Sequence, residues 1–122
     1  MIELKVIDTE FAVCKIKNIQ DINFSDEYLF VGKTDDELSL VCKSQSVPPG
    51  YIECEEGWRC FKIKGILDFS LVGILAKISS ILAENNISIF AISTFNTDYI
   101  LVKKENFELA INTLKEQNYI IS

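Results

Sequence analysis

The sequence has no histidine, and only two prolines, five glycines, one methionine and one tryptophan in 122 residues. Without histidine, Ser-His-Asp and Cys-His nucleophilic machinery cannot be assembled, and no imidazole is at hand for proton transfer. Catalysis would have to rest on carboxylates, lysine or tyrosine alone, which makes an enzyme the least supported reading. A zinc site also loses its commonest nitrogen ligand. The four cysteines, Cys14, Cys42, Cys54 and Cys60, do not compensate, because no two stand in the C-x-x-C spacing of structural zinc sites. Cys14, Cys42 and Cys60 lie inside apolar runs, where a reduced cysteine behaves as a small hydrophobe. All four are expected to be free thiols, with neither metal nor cofactor.

Basic charge is also scarce. Twelve Lys and Arg face 18 Asp and Glu, for a net charge of -6. Nucleic acid and anionic membrane surfaces both require clustered positive charge, so neither is an expected partner. No apolar run approaches the roughly 18 residues of a membrane span, and the N-terminus lacks the basic-then-apolar order of a signal peptide. The expected location is the cytoplasm. With 48% apolar and 25% charged residues, the chain reads as globular.

From Trp58 onward the pattern is regular. "WRCFKIK" alternates as a strand does. Leu71, Ile74, Leu75, Ile78, Ile81 and Leu82 then form one helical stripe, with Asp68 or Ser70 as N-cap, Gly73 inside the first turn and "ENN" (84–86) as the stop. "ISIFAISTF" (87–95) is apolar on both faces and predicts a central, buried strand. "NTD" (96–98) makes a turn into the strand "YILVK". A second helix follows, with Glu105 and Glu108 in its first turn, Phe107, Ala110, Ile111 and Leu114 as its stripe, and Lys115 near its end. "YII" (119–121) closes the series. The order βαββαβ is that of the ferredoxin-like unit, an α+β fold.

The first half is less regular. "FAVCKIK" (11–17), "YLFVGKT" (28–34) and "LSLVCK" (38–43) are strand-like. "QDINFSDE" (20–27) is too short and polar for more than about two helical turns, and "PPGYIECEEG" (48–57) reads as a joint. These elements suggest an eroded copy of the second unit, giving residues 1–57 and 58–122 as two ferredoxin-like units packed together. About 60 residues alone bury only about 60% of their unfolded surface, so the units are expected to cover each other or to dimerise. Two local motifs carry no chemistry. "DDE" (35–37) sits between strands as a solvated hairpin tip, and "GKT" (32–34) lacks a phosphate-loop glycine, since Glu27 occupies that position.

"LDFSLVGIL", "ISIFAIST" and "NTDYILVK", in that order between Gly65 and Lys104, resemble the C-terminal ACT domain of small tandem-ACT proteins. Those proteins are similar to aspartate kinase regulatory domains and to the cytosolic arginine sensors of animals. "DELSLVC", "VP" and "GWRCFKIKG" resemble the first-domain signature; residues 1–27 match least. The resemblance implies a non-catalytic regulatory or sensor module that binds a free amino acid where two domains meet, as a homodimer with a partner enzyme or regulator. ACT domains usually share a chain with a catalytic domain, for which 122 residues leave no room. A structural or interaction module with no retained ligand site is the alternative, and an RNA-recognition-like module is disfavoured by charge and by the lack of basic, aromatic stacking strands.

The ligand site is expected at the start of the first helix. Asp68 or Ser70 would cap it, leaving the amides of Leu71, Val72 and Gly73 as unpaired donors at the positive end of the dipole, a seat for a carboxylate. Phe69 and Ile74 flank this segment. Gly73 admits either a close ligand or a close packing partner. By the resemblance, Asp98 faces an ammonium or guanidinium group, and Thr94, Asn96 and Thr97 supply a polar wall.

Overall fold

The computed structural model describes residues 2–65 and 72–122. Among the described residues, seven strands and two α-helices make the chain α+β. It divides into two compact units, one formed by Thr9–Trp58 and the other by Met1–Asp8 together with Arg59–Ser122. The strand β1 (Glu3–Ile16) and the strand β4 (Glu53–Ile63) contribute to both.

In the unit that holds the C-terminal half, β4 is followed by α1 (Ile74–Glu84), β5 (Phe90–Ser93), β6 (Asp98–Lys103), α2 (Lys104–Glu116) and β7 (Ile120–Ile121). Its strands run in the order β7, β1, β4, β6, β5. The Lys64 amide donates to the Glu3 carbonyl at 2.9 Å, and Lys64 Nζ lies 3.1 Å from Glu3 Oε2. β7 runs parallel to β1, with Glu3 opposite Ile120. Alternation on the strands sends Leu4, Phe61, Ile63, Ile100 and Val102 to one face, where they pack with Ile78, Ile81 and Leu82 of α1 and Ala110, Ile111 and Leu114 of α2. The helical stripes thus face the sheet as their 3.6-residue spacing dictates.

The strand buried on both faces is β6, not the segment 87–95. Ile100, Leu101 and Val102 have no solvent exposure, whereas β5 is an edge strand of four residues with Ala91 and Ser93 exposed. Ile87 is buried and Ile89 partly buried, but both lie in the connection from α1 and pack on its core rather than in the ladder. The apolar run at 87–89 thus belongs to a connection and not to the strand. α1 ends as the asparagines suggest: Asn86 adopts φ 58°, and the Ile87 amide donates back to the Leu82 carbonyl at 3.0 Å.

In the Thr9–Trp58 unit, β3 (Leu38–Lys43) pairs antiparallel with β1 and with β2 (Phe30–Lys33). No α-helix occurs among its residues. A three-residue 3₁₀ turn, Ile19–Asp21, stands where a first helix would be, and another, Ser44–Ser46, where a second would be. Ile22, Leu29 and Val47, all from connections, cover the core of Ala12, Cys14, Ile16, Leu40 and Cys42 instead. Of the segment 48–57 only the first part is a joint, because β4 begins at Glu53.

The β2–β3 and β5–β6 hairpins repeat one another. Phe30 pairs with Val41 and Lys33 with Leu38, as Phe90 pairs with Leu101 and Ser93 with Asp98. Each tip is closed by a threonine: the Thr34 amide donates to Glu37 O and the Thr94 amide to Thr97 O, both at 2.9 Å. Asp35, Asp36 and Glu37 are exposed at the first tip, held by Thr34 Oγ1.

Burial pushes the Cys60 thiol up from about 9 to about 12. An unfolded chain ionises this thiol near pH 9 while the folded chain keeps it protonated, so the unfolded state binds fewer protons above pH 9 and stability falls as pH rises towards 12. Over that window Cys60 should contribute a loss of about 1.4 kcal/mol per pH unit. Urea melts of the wild-type chain and of Cys60→Ala should therefore converge with rising pH; parallel curves would contradict it.

Candidate functional site

A cleft of about 420 Å³ opens at one end of the C-terminal unit, lined by Ile2, Val72, Gly73, Ile74, Lys77, Gln117, Asn118 and Tyr119. It lies between the start of α1 and the end of α2. A second depression of about 510 Å³, along Ser79, Ala83 and 86–89, has no charged side chain in its lining.

Gly73 is the N-cap of α1, not a residue of its first turn. It takes a left-handed conformation (φ 82°, ψ 1°), and its carbonyl accepts the Lys77 amide at 2.9 Å. The amides preceding that first intrahelical bond are those of Ile74, Leu75 and Ala76, so the donor set lies further along than the Leu71–Gly73 expected. A Cβ on Gly73 would meet nothing within 4 Å among the described residues. The glycine suits its backbone angle. A left-handed angle costs an L-residue roughly 1–2 kcal/mol.

Electrostatics at this corner are one-sided. α1 has no acidic residue in its first turn, and Lys77 adds a cation one turn in, where the helix dipole already concentrates positive charge. Opposite stands the negative end of α2. Asn118 turns the chain at φ 70°, its amide donates to Lys115 O at 3.0 Å, and the Tyr119 amide donates to Leu114 O at 3.1 Å. Burial raises the Tyr119 phenol. The cleft therefore presents a positive helix end and a negative one across a single opening.

The expected residues divide. Val72, Gly73 and Ile74 line the cleft. Thr94, Asn96, Thr97 and Asp98 form the β5–β6 turn and are not among its lining residues. Thr97 is buried, and its hydroxyl donates to Ile63 O at 2.7 Å, while the Thr94 hydroxyl donates to Thr97 O at 2.8 Å. Asp98 is half-buried at the start of β6, opposite Ser93. Asp68, Phe69, Ser70 and Leu71 lie outside the described residues. Sequence reasoning missed Ile2, Lys77, Gln117, Asn118 and Tyr119. The asparagine after Lys115 was a usable signal, since Asn commonly closes a helix in the left-handed conformation.

Among the described residues no group of three or more His, Cys, Asp or Glu could hold a metal ion, and no helix is long and apolar enough to cross a membrane.

Two substitutions separate conformation from chemistry here. Gly73→Ala should lower stability by about 1–2 kcal/mol through its backbone angle. Thr97→Val keeps the side-chain shape but strands the Ile63 carbonyl, so it should cost about 1–3 kcal/mol. Urea unfolding measures both, and a neutral Thr97→Val would make that hydroxyl dispensable to the fold.

A family model described as ACT domain matches residues 53–116. Among solved structures, the chain is similar to an Agobacterium tumefaciens protein at 28% identity, with a TM-score of 0.88 over 99% of this chain and 92% of that one. It is also similar to a Vibrio cholerae protein of unknown function described as a possible transport protein (21% identity, TM-score 0.74, 94% and 88% covered). A third similar fold is the ligand-free regulatory subunit of aspartate kinase from Thermus thermophilus (10% identity, TM-score 0.65, 93% and 95% covered). No match was found among curated proteins. The model match takes in β4 and both helices that frame the cleft, and with more than half of its residues matched the chain belongs to the ACT domain family.

Proposed function

We propose that this chain is a non-catalytic regulatory module that holds a free amino acid in the cleft between the start of α1 and the end of α2. The observation that carries the reading is the meeting of opposite helix ends over about 420 Å³. A zwitterion matches that arrangement. Its carboxylate would take the amides near Ile74 and the Lys77 ammonium, and its own ammonium would turn to the carbonyl end of α2 beside Gln117 and Asn118. A lysine one turn from the start of a helix is unfavourable with the dipole, and an anion bound there would relieve it.

Membership of the ACT family and similarity to a regulatory subunit support regulation over catalysis, as does the absence of histidine. The ferredoxin-like reading extends to both units, the Thr9–Trp58 unit being an eroded copy; the shared hairpin register supports it. By sequence, Asp68, Phe69, Ser70 and Leu71 belong to the same site. In this reading the chain acts in the cytoplasm as a homodimer, and a partner enzyme or regulator reads the bound state.

A thermal-shift screen against the common amino acids should find at least one that raises the melting temperature. Calorimetric titration with that amino acid should show Lys77→Gln weakening binding about ten- to a hundredfold, since a charge-assisted hydrogen bond contributes roughly 1.5–3 kcal/mol. Equal affinity would place the ligand elsewhere. No shift with any amino acid would favour a structural or interaction module instead.

A further inference from the structure

Three of the four cysteines gather in the Thr9–Trp58 unit. Cys14 and Cys42 are buried in its core, and half-buried Cys54 packs against it. The Sγ atoms of Cys14 and Cys54 stand 3.1 Å apart, on the neighbouring strands β1 and β4. A disulfide needs about 2.05 Å, so closing the gap takes about 1 Å of side-chain movement. The third thiol is placed differently. Cys42 pairs with Ala12 in the β1–β3 ladder, while Cys14 pairs with Leu40. Cys14 and Cys42 are therefore diagonal neighbours, a relation that sets Cα atoms about 7–8 Å apart, at or beyond the reach of an unstrained bridge, although their side chains share a hydrogen bond.

We propose that Cys14 and Cys54 are a redox-modification site, closing to an intramolecular disulfide when the folded chain meets a small-molecule disulfide. Cys54, the more exposed sulfur, loses its proton and attacks one sulfur of the small disulfide. That S–S bond breaks, one small thiol departs, and a mixed disulfide forms on Cys54. Cys14 then gives up its proton and attacks the Cys54 sulfur, displacing the second small thiol. Two protein thiols are oxidised, and one small disulfide is reduced to two thiols. The product straps β1 to β4 across a span of 40 residues, which restricts the unfolded chain. Burial raises the Cys14 thiol, and its hydrogen bond with Cys54 raises it further, so the resolving step should quicken as pH rises.

The test is incubation of the folded full-length chain with glutathione disulfide at mildly alkaline pH, followed by quenching and non-reducing peptide mapping. Wild type should lose two hydrogen atoms, link Cys14 to Cys54, and melt about 5–15 °C higher. Cys42→Ser should form the same bridge. Cys14→Ser should stop at glutathione on Cys54, and Cys54→Ser should form no bridge. Because a buried substitution can unfold the chain, the wild-type map decides alone. Four unlinked thiols in the folded chain, a mixed disulfide that never resolves, a link to Cys42, or a bridge formed only in denaturant would each overturn the proposal.

Discussion

Three consecutive residues of β6, Ile100, Leu101 and Val102, are fully buried, and successive side chains on a strand point to opposite faces. This strand must therefore be covered on both sides, and the C-terminal unit is built around that demand. Fully burying such an aliphatic side chain contributes roughly 1.5–3 kcal/mol. On the face of Ile100 and Val102 the cover is helical, from Ile78 and Leu82 of α1 and Ala110 and Leu114 of α2. The tie between Thr97 Oγ1 and Ile63 O holds the β5–β6 turn against the end of β4. It satisfies a hydroxyl that burial would otherwise leave costly. A polar residue that the sequence offers as pocket wall is thereby part of the frame.

The cleft follows from that frame. α1 leaves the end of β4 and runs back over the sheet; β5 and β6 reverse the chain; α2 then runs back from the far end of β6. Two helices threaded in this way begin and finish at opposite ends of the sheet, so the start of α1 meets the finish of α2. Dipoles that would stabilise each other side by side expose unlike ends at one opening. Gly73 and Asn118, both left-handed, set the angles at which the chain enters and leaves. Lys77 intensifies the positive end instead of neutralising it. In a helix selected for stability alone, an acidic residue would stand in that first turn.

The elements were legible in the sequence wherever one face was apolar and the other polar. α2, with Glu105 at its start, Lys115 at its end and Ala110, Ile111 and Leu114 between, agrees with its expected stripe. β3 has the expected bounds. Legibility failed where apolar residues served a purpose other than alternation. Ile87 and Ile89 are core residues of a connection, and they lent β5 an apparent length it lacks. Gly73 was visible as an oddity, but its left-handed angle moved the helix start to Ile74 and changed which amides are offered. The far wall of the cleft comes from residues more than forty positions later, and periodicity carries no information about such a meeting. Ile2, from the opposite end of the chain, is further still from anything local pattern could reveal.

The two hairpins are backed differently. They share register and a threonine-closed tip, yet the C-terminal one is backed by helices and the other by connections alone. Where α2 follows Lys103 for thirteen residues, Lys43 is followed by a three-residue turn and then Pro48 and Pro49. A sheet face without helices must be closed by whatever side chains the loops can spare. Small, polarizable side chains suit such a space because they leave little volume to fill. Cys42 follows Val41 in one hairpin as Val102 follows Leu101 in the other, and Val41 and Leu101 hold the same ladder position. Cys14 faces the same core, and Cys54 reaches it from β4. The lack of helical cover and the gathering of the thiols are thus two sides of one packing problem. In solving it, the Thr9–Trp58 unit places two sulfurs within bonding reach, a chemistry for which the helix-backed unit has no counterpart among its described residues.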